Sequence, residues 1–207
     1  MNKNNQVKIV TFTPLALYAD LDNKSEKYAT LTWSIRLGFP RVTVYTENNR
    51  SKNEEFSYER LITAPMNAVM VNLFIDKLNA LIANPKPDKF SIKCYNIKFV
   101  NGERTKDIEL QATIVCWRDK NDIINLAAVA DGKSKIAFPL MVDTKWHKIT
   151  DVKGEEVTDC RTLSNMYAKA YSDRLKSLMD KHLADDAKIK YIDPKAKLAK
   201  TENLDIL

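Results

Sequence analysis

The chain has 207 residues, 44% apolar and 29% charged, with a formal net charge of +6. That length gives one sizeable domain or two halves sharing a core, and the composition is that of an ordinary soluble globular protein. No apolar run approaches membrane-spanning length and Met1 to Lys8 is polar, which excludes a membrane span or a signal peptide as the expectation and leaves an intracellular, cytoplasmic setting. The basic lean favours an acidic partner, with 27 acidic residues confining it to a patch.

Residues Met1 to Asn5 are polar. Val7 to Thr13 alternates weakly and reads as a short edge strand closed by Pro14, while Leu15 to Leu21 fits either a strand or a helical turn. Tyr28 to Leu37 is a strand, with Leu31, Trp33, Ile35 and Leu37 on one face and Thr30, Thr32, Ser34 and Arg36 on the other. Gly38-Phe39-Pro40 supplies a turn. Arg41 to Thr46 returns with Val42 and Val44 inward and Arg41, Thr43 and Tyr45 outward. Glu47 to Tyr58 reads as a flexible loop.

Thr63-Ala64-Pro65 starts a helix on the sequence pattern, because Thr caps and proline is tolerated in a first turn where its missing N–H has no partner. That helix runs to Ala83 and stops at Asn84-Pro85-Lys86-Pro87. Its apolar positions, from Met66 to Ile82, cover more than a stripe, as suits a helix buried against a sheet or shared with another subunit.

Lys89 to Val100 and Lys106 to Arg118 alternate on either side of Asn101-Gly102, a strong hairpin signal. One face is apolar, and the other carries Lys93, Tyr95, Lys98, Trp117 and Arg118. The inward phase of Phe90, Ile92 and Cys94 shifts before Ile97 and Phe99, which predicts a bulge near Tyr95-Asn96. After the turn Asp119 to Asp122, Ile123 to Ala130 is a central strand. Asp131-Gly132 turns into a strand over Ser134 to Val142, and Asp143 to Glu156 is a polar connection. Asp159 caps a last helix, roughly Arg161 to Ala184, whose stripe is Leu163, Met166, Tyr167, Ala170, Tyr171, Leu175, Leu178, Met179 and His182. These elements make one α+β domain over residues 1–184, with mostly antiparallel sheet against two long helices. Residues 185–207 read as a flexible charged tail, where Glu202 to Leu207 is either an acidic-apolar tip that recruits partners or a frayed end.

The chemistry in this pattern is binding and not catalysis. Cys94, Cys116 and Cys160 are odd in number, and the first two fall on inward strand positions as buried thiols. His147 and His182 are the only histidines, no Cys/His cluster has metal spacing, and the four glycines form no phosphate loop. The expectation is a non-enzyme with no cofactor or metal. Outward positions instead put Arg36, Arg41, Tyr45, Lys93, Tyr95, Lys98, Trp117 and Arg118 on sheet surfaces. Cations serve phosphates and aromatic rings serve bases, which suits a single-stranded nucleic acid. Duplex readers usually present a basic helix, and neither helix here is one. The competing expectation is a protein-interaction module working through its apolar helices.

In its order of strands, an apolar helix led by Ile62-Thr-Ala-Pro-Met-Asn-Ala-Val-Met70, further strands and a closing helix, the chain resembles the Whirly type of single-stranded DNA-binding fold. Its size, charge and surface are also similar to phage-encoded single-stranded DNA-binding proteins, including the Drc-type cofactors that bring a phage RNA polymerase to melted promoters. The resemblance covers the layout of residues 28–184. It implies a homo-oligomer with DNA over sheet surfaces, acting in transcription, replication or recombination, with a polymerase or replication protein as a further partner. An OB-fold is the second choice of architecture.

Overall fold

The computed structural model describes residues 9–22, 26–36, 38–49, 58–84, 86, 88–100 and 103–187. The inward position expected for Leu37, the expected turn at Asn101-Gly102, most of the loop before Tyr58 and the tail beyond residue 187 lie outside the described residues.

The first sheet is built around β3 (Lys27–Arg36) and β4 (Phe39–Asn49), an antiparallel pair. Two short strands, β1 (Ile9–Thr11) and β2 (Leu17–Asp20), share the other edge of β3, separated by a 3-10 turn at Thr13–Leu15. The stretch that fits both strand and helical turn therefore contains both. Leu31, Trp33, Ile35, Val42 and Val44 are buried on one face, as the alternation predicts. Arg36 pairs with Phe39, so the turn is tight and ends at Gly38, which has φ +77. Phe39 and Pro40 belong to the returning strand and not to the turn.

The helix start also differs from expectation. Leu61–Pro65 is a strand, β5, paired antiparallel with β4 through Arg41 and Pro65. Ile62 and Ala64 are buried while their neighbours are half-buried, so period-2 burial wins over the Thr-Ala-Pro capping signal. Pro65 ends this edge strand, where its missing N–H costs no ladder bond. Helix α1 then runs Ala68–Ala83, capped by Asn67, whose side chain accepts a hydrogen bond from the Met70 N–H at 2.8 Å.

The second sheet has the order β6 (Lys89–Val100), β7 (Glu103–Arg118), β8 (Ile124–Val129), β9 (Phe138–Leu140), all antiparallel. β8 is buried almost throughout, as a central strand must be. β9 is shorter than the sequence pattern implies, and Pro139 sits in it because it is an edge. Helix α2 covers Cys160–Ala187, with the Asp159 carboxylate accepting the Thr162 N–H at 2.8 Å.

Inward residues of both sheets and both helices form one hydrophobic core. Phe74 on α1 lies 5.3 Å from the Trp33 ring and 5.7 Å from Phe90, so one helix side chain joins the two sheets. Trp33 donates its indole N–H to the Tyr171 hydroxyl at 2.9 Å, and that hydroxyl donates to the Leu15 carbonyl. Leu163, Tyr171, Leu175 and Met179 of the expected α2 stripe are buried, and the buried face also takes in Ser164, Ala168 and Ser172, while Met166 is 45% exposed. Ser164 has a polar reason to lie inside. Its hydroxyl donates to the Leu140 carbonyl and accepts the Ile124 N–H, locking α2 to the start of β8 and the end of β9. The fold is α+β, and its two sheets stay separate among the described residues, unlike an OB barrel.

Candidate nucleic-acid interface

The turn end of the first sheet, the start of α1 and the outer edge of β6 enclose an open groove of about 630 Å³. Four of the expected surface residues line it: Arg36 and Arg41 from the first sheet, Lys93 and Tyr95 from the second. Strand pairing explains the arginines. Ser34 lies opposite Arg41 and Arg36 opposite Phe39, so the two guanidinium groups rise from adjacent strands at one end of the sheet. Lys93 and Tyr95 are exposed, two residues apart on the same edge strand.

The electrostatics are one-sided. Arg41 is half-buried, and its pKa is lowered first by burial and then by the positive charge of Arg36. Its Nε is buried without a hydrogen-bond partner. Among the described residues, no carboxylate forms an ion pair with Arg36, Arg41 or Lys93. A cluster of like charges with no ion-pair partner among the described residues is a place where an anion lowers the energy.

The register shifts between Cys94 and Tyr95, close to the expected Tyr95-Asn96, and again between Ile97 and Phe99, but at the first shift the extra residue is on the partner strand, so Ile97 does not return to the inward side. Cys94 faces Ala112 and Tyr95 faces Leu110, so Gln111 is the bulged position. β6 therefore keeps its alternation, and Tyr95 is 53% exposed at the groove wall.

The other expected residues lie elsewhere. Tyr45 is half-buried on the outer face of the first sheet, between Thr30 and Leu61, and does not line the groove. Lys98 is exposed further along β6, beyond the groove. Trp117 is half-buried on the outer face of the second sheet, where it borders a separate apolar hollow of about 370 Å³ with Val115, Ala127, Val129 and Ile136. The two hairpins thus do not present one continuous face.

Arg118 is a correction. It is 3% exposed, and its guanidinium donates to the carbonyls of Asp122 at 2.8 Å and Leu81 at 3.1 Å and to the Asn165 side chain at 2.8 Å. Burial, followed by the nearby Arg161 charge, lowers its pKa. Arg118 and Arg161 satisfy the C-terminal carbonyls of α1, Arg161 donating to Asn84 while pairing with Asp122. From Ala112 onward the even positions of β7 face in, which places Arg118 inside with Ala112, Ile114 and Cys116.

Sequence reasoning missed Phe39. It is 61% exposed on the groove wall beside Arg36, a large aromatic ring in water with cations next to it. A turn that ends at Gly38 makes it a strand residue facing Arg36. As to catalytic or metal chemistry, Cys94 and Cys116 are buried free thiols, with burial pushing their pKa values up to about 11 and about 12. His182 packs against the Phe12 ring at 5.4 Å. Among the described residues, no group of three or more His, Cys, Asp or Glu side chains could hold a metal ion, and no helix is long and apolar enough to cross a membrane. Compared with protein-family models and with curated proteins, the sequence gives no match.

Proposed function

We propose that this chain is a sequence-tolerant, non-enzymatic single-stranded DNA-binding protein of the phage-encoded kind. It acts as a homo-oligomer in transcription, replication or recombination, with a phage RNA polymerase or replication protein as partner. The observation that carries the reading is the groove, in which Arg36, Arg41 and Lys93 stand without a described carboxylate partner beside the exposed rings of Phe39 and Tyr95. Phosphates are taken by the three cations, and bases stack on the two rings, each stacked base being worth roughly 1–3 kcal/mol. The shape favours a single strand. Duplex DNA is most often read by a basic helix in the major groove, and the α2 lysines Lys169 and Lys176 are already paired with Asp173 and Asp180 one turn on.

The test is a salt titration of oligonucleotide affinity with three proteins: wild type, Arg36→Ala with Lys93→Ala, and Lys98→Ala. Removing one cation from a phosphate lowers the slope of log affinity against log salt by about 0.7 for a single strand. The double variant is expected to bind more weakly with a slope reduced by about 1.4, and Lys98→Ala to change little. An unchanged slope in the double variant removes the groove from the site.

A further inference from the structure

The β6–β7 pair outruns its sheet. β8 pairs with β7 only between Thr113 and Arg118, whereas β6 remains paired with β7 as far as Val100 and Glu103. Beyond Cys94 and Ala112 the two strands form an arm with no third strand beside it among the described residues. A two-stranded ribbon is marginal in water unless one face is covered.

The bulge at Gln111 decides which face needs cover. Without it, Leu110 and Ile108 would continue the inward phase of Ala112 and Ile114. With it, Leu110 lies opposite Tyr95 and Ile108 opposite Ile97, so the four side chains share one side of the arm. Leu110 is 50% exposed and Ile108 71%. Asn96 and Glu109, also opposite each other, occupy the reverse side. The arm is thus amphipathic. Its apolar side is continuous with the groove, because Tyr95 and Ile97 belong to both.

We propose that this apolar side is the continuation of the DNA path: a strand leaving the cationic groove lays its next bases on Tyr95, Ile97, Leu110 and Ile108. The inference rests on the reading of the groove as a single-strand site. The paired positions of this side hold no carboxylate, Glu109 being turned to the reverse. Its contribution is therefore packing against base faces, unlike the phosphate pairing of the groove, and does not depend on salt.

The experiment measures affinity for oligothymidylates from about 4 to about 16 nucleotides, the span of common single-strand site sizes, at low and high salt. It uses wild type, Ile108→Thr with Leu110→Thr, which keeps β-compatible residues, and Leu110→Trp. Wild type gains affinity as the strand lengthens onto the arm. The threonine variant matches it on the shortest oligomer and is about tenfold weaker on the longest, by the same factor at both salts. Leu110→Trp fluorescence is quenched only by the longer strands. The proposal is overturned if both variants bind every length as wild type does with no tryptophan quenching. It is equally overturned if the threonine variant sediments as a smaller species and weakens at every length, which would mean that a second copy covers the arm. No binding of wild type to any oligomer instead removes the groove reading itself.

Discussion

Arg41 and Arg118 both sit near the ends of strands in basic, aromatic-rich stretches, yet they are held in opposite ways. Arg118 has its protein partners already: two carbonyls and an amide oxygen take its N–H groups inside the core. Arg41 lines an open groove beside another cation, although the Nε of each arginine is buried without a partner. Replacing Arg118 with Met keeps much of the volume but strands those acceptors. The expected cost is about 3 kcal/mol in denaturant unfolding, with oligonucleotide affinity of the remaining folded protein unchanged. Weakened binding by folded Arg118→Met protein would contradict the structural role. The buried thiols give a pH signature. In the folded chain the Cys94 and Cys116 pKa values lie at about 11 and about 12, against 9.0 for a free thiol. Above about pH 9 the unfolded chain releases these protons first, so it binds fewer protons and stability falls as pH rises toward the folded values. For Cys116 the slope approaches about 1.4 kcal/mol per pH unit. Tyr171, fully buried and likewise raised by burial, adds to the decline from its ordinary value of 10.0 upward. Unfolding midpoints measured at about pH 8 and about pH 10 should diverge in wild type and converge in Cys94→Ala with Cys116→Ala. Equal divergence in both proteins would mean that the thiols are not the titrating groups.

Among the elements, α1 shows how local signals compete. Thr63-Ala-Pro and Asn67 both offer a helix start, and β5 takes the first because Ile62 and Ala64 bury only in an extended strand. Asn67→Ala removes the bond to the Met70 N–H and should cost about 1 kcal/mol, whereas Thr63→Ala, with no capping role, should cost less. Circular dichroism melts of the two variants check this, and a larger effect at Thr63 would contradict it. The strands at the heart of each sheet are legible in the sequence because Leu31, Trp33, Ile35, Val42 and Val44, and Ala112, Ile114 and Cys116, alternate with period 2, although Ser34, expected outward, is also buried. Asp159 is legible as a cap for a similar reason, a single polar residue ahead of an amphipathic run. Less is legible where register decides. Whether Phe39 belongs to the turn or to the returning strand determines its exposure, and only pairing with Arg36 fixes it. The Gln111 bulge announces itself in the phase of β6, but the strand carrying the extra residue depends on which partner bends. Arg118 follows the inward parity of β7 and still reads as outward, because a charged residue is expected in water unless its acceptors are visible. Those acceptors, Leu81 and Asn165, are 37 and 47 positions away.

At the scale of the molecule, one core holds two sheets and two helices, which fixes the groove walls relative to each other. Arg36 and Lys93 come from different sheets, and Phe74 packs against Trp33 on one and Phe90 on the other. Both helices turn apolar residues inside, Phe74, Leu78, Leu163 and Leu175 being fully or almost fully buried, while Val69 and Leu73 of α1 and Met166 of α2 are exposed. The formal charge of +6 favours an acidic partner, and under the proposed function the cations and rings of the groove would tell a flexible strand from a stacked duplex. The most direct measurement is competition between single-stranded and duplex oligonucleotides of equal length and mixed sequence, for wild-type protein at roughly physiological salt. The predicted result is displacement by the single strand at concentrations at least about tenfold below the duplex, with little dependence on sequence. Equal displacement by both, or by neither, would contradict the account.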